Sequence, residues 1–166
     1  MRPREDRFTL DVEDLVLVRG KTSESEKRPS CATLALRAIY RRHREVRTIV
    51  FAHPVNATAF SVTNVMLDAR TIPESYIFLR DVQRISYGVQ YHAGGEIANL
   101  VAPKSPASLL ENDGVLVVGT SILDAFDRLK VLETTAEAII NSRLVGTVAP
   151  MSAEVIDELK AAFLKD

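Results

Sequence analysis

Residues 50–60 read VFAHPVNATAF: an apolar run meets a histidine, His53, followed by a proline turn and the small residues of a helix start. Folds that mix strands and helices gather their chemistry at strand ends. Histidine is also the side chain whose charge changes nearest neutral pH. A residue so placed could ligate a divalent ion or move a proton. One histidine alone makes a poor metal site and a poor catalyst, and the same pattern suits a satisfied or exposed strand-end histidine. No glycine-rich turn follows an early strand and no phosphate-cradling loop is present, so the sequence is not a Rossmann unit. Cys31 is the sole cysteine, which rules out an intrachain disulfide and a thiolate cage.

The elements that must position His53 belong to a chain of 166 residues, enough for one domain with a core of its own. Its 21 basic and 22 acidic residues are interspersed and leave a formal net charge of −1. Bulk electrostatics therefore make no case for nucleic acid as a partner. The basic stretch RAIYRRHREVR (37–47) reads as a solvated helix end or as an anion-binding face. No apolar run reaches the ~18 residues that span a bilayer, and no charged-then-apolar leader opens the chain. The expectation is a cytoplasmic protein without a membrane partner.

DLVLV (14–18) predicts a strand, and RGKTSESEKRPS (19–30) an exposed loop. Ser30 stands where a helix N-cap would, ahead of CATLALRAIYRRHR, with Leu34, Ala38 and Tyr40 as its apolar side. RTIVFA (47–52) predicts a buried strand. Short helices are expected over 56–67, 73–82 and 94–102. SLLEN (108–112) and VLVVG (115–119) form either a hairpin about Asp113-Gly114 or one strand kinked there. From Ser121, Ile122, Ala125, Phe126, Leu129, Leu132, Ala136, Ile139 and Ile140 recur at helical spacing and predict a long helix over about 121–143. Ser121 with Asp124 resembles a capping box. A final helix is expected over 152–164. This order fits a sheet with helices on both faces.

Taken together, several stretches resemble the class II aldolase/adducin family. RPSCATLALRAIYRRHREVRTIVFAHPVNATAFSV (28–62) is similar to that family's serine-rich helix start and its strand ending in a histidine-x-histidine pair. TIPESYIFLRDVQRISYG and GGEIANLV are similar to its middle section. LLENDGVLVVGTSILDAFDRLKVLETTAEAII (109–140) is similar to its asparagine-histidine-glycine turn, strand and long helix. The resemblance implies a three-layer α/β/α fold with a central, largely antiparallel sheet, assembled as a homotetramer. It implies an aldehyde-lyase or epimerase acting on a small sugar phosphate. It also implies a divalent metal, usually zinc, held by three histidines with a glutamate as acid/base.

Carried over residue by residue, that machinery is altered. The first histidine of the pair falls on Phe51 and the second is His53. The third falls on Asp113, and the glutamate on Ala32. Ser30 matches a serine that helps bind substrate phosphate, and Cys31 replaces the serine after it. His53 and Asp113 are thus the expected metal ligands. Glu74 is the favoured replacement acid/base, since a carboxylate directly after a proline turn is well placed. The plainer role for Glu74 is a helix-start acid facing the dipole. Tyr76 lies near a tyrosine that some family aldolases contribute across a subunit boundary. His92 and Glu111 lie in segments that could approach the same strand ends. The family's N-terminal segment is not found, so residues 1–166 are read as a single domain without it. Two functions follow: an aldolase-like enzyme with an altered metal site, or an inactive relative serving as a binding or assembly module.

Overall fold

The computed structural model describes residues 11–20, 22–23, 29–91 and 95–164. In chain order its elements are β1 (Val18–Arg19), β2 (Thr22–Ser23), α1 (Thr33–Arg42), β3 (Thr48–Ala52), α2 (Val55–Ser61), α3 (Pro73–Leu79), β4 (Gln83–Ile85), α4 (Ile97–Leu100), β5 (Ala107–Leu110), β6 (Val115–Gly119), α5 (Ile122–Val145) and α6 (Ala153–Phe163). Short 3-10 turns occupy Val12–Asp14, Ala69–Thr71 and Val89–Tyr91.

The sheet is built around β6. Val115, Leu116, Val117 and Val118 are all buried, which a strand achieves only when both faces are covered. Successive side chains alternate faces. Val115 and Val117 join Leu109, Ala57, Phe60, Leu132, Ala136 and Ile139 under α2 and α5. Leu116 and Val118 join Leu110, Ala35, Ile39, Ile97 and Val101 under α1 and α4. Burying each such aliphatic side chain contributes roughly 1.5–3 kcal/mol, so the three-layer arrangement follows from the apolar runs.

Strand order is β3-β6-β5-β4. β3 and β5 flank β6 antiparallel, and β4 runs parallel to β5, so the sheet is mixed but largely antiparallel. The Asp113-Gly114 signal is a hairpin: Leu110 N–H donates to Gly114 O at 2.8 Å, and Asp113 N–H to Leu110 O at 3.1 Å. Asn112 takes a left-handed φ of 52° to close it.

Three sequence expectations need correction. DLVLV is not a strand over 14–18: only Val18–Arg19 pairs, with Thr22–Ser23, while Leu15 and Leu17 are exposed. Among the described residues the rest of this apolar run has no sheet partner to cover it. The buried face of α1 is Ala35 and Ile39, one turn apart, whereas Leu34 is 62% exposed and Tyr40 also faces solvent. Similarly, Ile122 and Phe126 on α5 are exposed, while Ala125, Leu132, Ala136 and Ile139 are buried.

Candidate functional site at the strand end

β3 presents Ile49, Phe51 and, one step past its end, His53 on the side of α1 and α4. Phe51 packs against that apolar cluster, so the rung before His53 is sealed by a ring with no donor atom. Ala52 pairs with Val115, which sets His53 beside Gly114. A Cβ on Gly114 would overlap the Ala52 carbonyl and stand 2.9 Å from His53 Cδ2. Only glycine lets the hairpin turn come this close, and the turn delivers Asp113 to the imidazole.

His53 Nε2 and Asp113 Oδ1 are 3.1 Å apart. Asp113 Oδ2 accepts from Gln90 Nε2 and from the Tyr91 hydroxyl, each at 2.8 Å. Burial opposes ionisation of Asp113, but the hydrogen bonds from Tyr91, His53 and Gln90 and the nearby imidazole outweigh it and hold its carboxyl below the usual range. The hydrogen bond to Asp113 first, then burial, pushes the Tyr91 phenol up. An ionised carboxylate only accepts, so His53 Nε2 carries the proton toward Asp113. That proton is assigned from the partner; in the neutral ring it leaves the lone pair on Nδ1. The His53 side chain is 47% exposed and Asp113 19% exposed. The pair is therefore a carboxylate-oriented imidazole whose Nδ1 has no hydrogen-bond partner among the described residues.

Ala32, where the resemblance implies a glutamate, is buried at 7% exposure. Ser30 is exposed at the start of α1; its Oγ accepts from Ala32 N–H at 3.3 Å, and its carbonyl accepts from the Thr33 hydroxyl at 2.6 Å. Glu111 Oε2 receives the Tyr87 N–H at 3.2 Å. His92 lies outside the described residues. Glu74 sits elsewhere, on the wall of a cleft of about 370 Å³ between α3 and α5 with Ser75, Phe78, Asp127 and Lys130. Tyr76 is buried on α3. Gln90 and Tyr91 were not anticipated, because the 3-10 turn that carries them has no periodic signature. Gln90 is fully buried, and its Oε1 finds no partner among the described residues.

The donor set can be set against the zinc that the resemblance implies. A catalytic zinc site takes three protein ligands and keeps a further position open. Among the described residues, no three His, Cys, Asp or Glu side chains come together around one point. His53 and Asp113 supply one nitrogen and one oxygen, and Phe51 supplies nothing. These residues do not fit a three-ligand zinc centre; two mixed ligands suit only a weakly held, harder ion. No helix among the described residues is long and apolar enough to cross a membrane.

The class II aldolase and adducin N-terminal domain model matches residues 5–140. The L-fuculose phosphate aldolase of Methanocaldococcus jannaschii is 30% identical over 109 residues, 64% of this chain and 58% of that protein. That of Methanococcus maripaludis (strain C5) is 30% identical over 135 residues, 80% of this chain and 68% of that protein. Among solved structures, YgbL of Escherichia coli superposes with a TM-score of 0.73 at 26% identity, covering 84% of this chain and 69% of that one. A mixed, largely antiparallel sheet between helical layers, an altered polar centre at its strand end and these likenesses agree: the chain belongs to the class II aldolase and adducin family.

Proposed function

We propose that this chain is a class II aldolase-like protein that binds a small sugar phosphate, or a related aldol or keto compound, at the His53–Asp113 strand end. The observation that carries this reading is the pair itself, with Nε2 bonded to a carboxylate held below its ordinary pKa and Nδ1 without a partner among the described residues. In a retro-aldol step, a base removes the proton of the hydroxyl β to the carbonyl. The carbon–carbon bond then breaks, and its electron pair moves into an enediolate. His53 Nδ1 is the base, and Asp113 orients the ring and steadies the imidazolium. Ser30, at the start of α1, is the group assigned to the substrate phosphate. Glu74, exposed in the first turn of α3, takes the plainer role of a helix-start acid, and Tyr76, buried on α3, a place in the core; neither lies at this strand end. Exposed Ile122, Leu123 and Phe126 at the start of α5 support a homo-oligomer, expected in the cytoplasm.

The test is cleavage of L-fuculose 1-phosphate, the substrate class named for the relatives, with elemental mass spectrometry on the same tag-free protein. Members of this family are generally metal-dependent, so each sample is assayed with and without a chelator. The expected result is turnover that survives chelation and falls ~10²–10⁴-fold in His53→Ala. Near-stoichiometric zinc or manganese, lost in that variant, would replace this reading with a metal site on His53 and Asp113. A second reading, an inactive binding or assembly module, is favoured by Ala32 and Phe51, which remove the family's acid/base and one ligand. Binding without turnover in any metal would select it.

A further inference from the structure

The short helix α2 connects the two halves of the polar pair and is held at both ends by side chains from distant segments. β3 passes through His53 and Pro54 directly into α2. Pro54 is the N-cap residue and offers no side-chain acceptor, so the first N–H groups of the helix need partners from elsewhere. Glu133, from the middle of α5, provides them. Its Oε1 accepts from Asn56 N–H and Asn56 Nδ2, each at 2.9 Å. Its Oε2 accepts from Ala57 N–H at 2.9 Å and shares Asn56 N–H at 3.1 Å. A negative group at this end also complements the helix dipole.

The other end of α2 faces the hairpin turn. Ser61 O accepts the Asn112 N–H at 3.0 Å, and Asn112 is followed by Asp113. Arg84 Nη2 donates to Phe60 O at 2.8 Å and to Val65 O at 3.1 Å, with Nη1 reaching Ser61 O at 3.4 Å. The helix thus spans from the residue after His53-Pro54 to the residue that bonds the Asp113 turn. Any slip of its N-terminus moves His53 relative to Asp113.

We infer that Glu133 is a positioning residue for His53: its carboxylate anchors α2, and α2 sets the separation of His53 from Asp113. This rests on the reading of that pair as the site's polar centre, but it needs no turnover to be tested.

The experiment is ¹⁵N-edited NMR of the histidine rings in the full chain at pH 8.5. Wild type is compared with Glu133→Gln, Asn56→Ala and, as a stability control, Thr135→Val, which breaks the buried Ser75–Thr135 hydroxyl bond. Wild-type His53 should be the Nε2–H tautomer. In folded Glu133→Gln the Nδ1–H share should rise severalfold, in Asn56→Ala by less, and in Thr135→Val not at all. If Glu133→Gln does not fold, Asn56→Ala decides alone. An unchanged His53 tautomer in the folded variants overturns the role of Glu133, leaving it a scaffold residue. A wild-type His53 already mixed between tautomers overturns the pair on which the inference rests, so the two failures are distinguishable.

Discussion

The two ends of β6 carry the same ingredients and use them differently. Each has a glycine at a close approach and a carboxylate held below its ordinary pKa. At the far end, Asp124 accepts from Thr120 N–H at 2.7 Å, from the Thr120 hydroxyl at 2.9 Å and from Arg128 Nε at 2.8 Å. Burial opposes its ionisation, and those hydrogen bonds with the Arg128 charge prevail. All its partners lie within four residues, its charge is matched by a cation, and the result is a helix start. At the near end, Asp113 gathers His53, Gln90 and Tyr91 from two other segments, none of them a Lys or Arg. The imidazole is half in solvent, and its Nδ1 has no partner among the described residues. The first carboxylate closes a helix start locally; the second is assembled from distant donors beside a half-exposed imidazole, the arrangement proposed above as the site.

The largest effects expected from disturbing this comparison come from the glycines. A Cβ on Gly119 would come within 2.6 Å of Ala125 N and 2.9 Å of its Cα. Gly119→Ala and Gly114→Ala should each destabilise by about 3 kcal/mol, the upper end for overpacking, measured by urea unfolding. Only Gly114→Ala should also displace the His53 ring, visible in its NMR shifts.

Next come the carboxylates. Asp124→Asn and Asp113→Asn should each cost about 1–3 kcal/mol at pH 7, as losses of charge-assisted hydrogen bonds do. Both folded-state pKa values are lowered from the ordinary 3.8. Such a carboxyl contributes stability that is complete above its unfolded value and is lost as pH falls through its folded value. The gap between wild type and each variant should therefore be full at pH 7, shrink from near pH 4, and close at lower pH. Urea melts at pH 7, 5 and 3 check it. At the Asp124 end, where the partner cation is an arginine, a gap that widened on acidification would break the assignment.

The smallest stability effect is expected for His53→Ala, under about 0.5 kcal/mol for a half-exposed side chain, although the same change should abolish most turnover. Equal and large losses of stability and function would mean that His53 is structural, as Arg128 is at the opposite end.

How much of this was legible in the sequence follows the same division. The far end was readable because its signals are local: an apolar run, a glycine, Ser121 with Asp124, then a helical period. The structure refines it in that Asp124 reaches back to Thr120 rather than to Ser121 N–H and that Ile122 and Phe126 are exposed. Asp-Gly marked the turn but left a hairpin and a kinked strand open, and His53 stood out at the end of its strand. Asp113 became a candidate only through the position it takes in the family pattern. Gln90, Tyr91 and Glu133 were hidden, because each acts across 20 or more residues on a partner that only the fold supplies. Glu133 reads in sequence as one more polar residue on an amphipathic helix. DLVLV misled for the opposite reason: its apolar run is genuine, but among the described residues only Val18 of it pairs with another strand.

The most direct test of the central claim is a map of backbone and ring chemical-shift changes as L-fuculose 1-phosphate is titrated into the protein. The account predicts changes centred on His53, Asn112–Gly114, Tyr91 and Ser30–Ala32, with Thr120–Arg128 and the Glu74 cleft still. Changes centred on Glu74, Asp127 and Lys130, or on the Asp124 end, would contradict it.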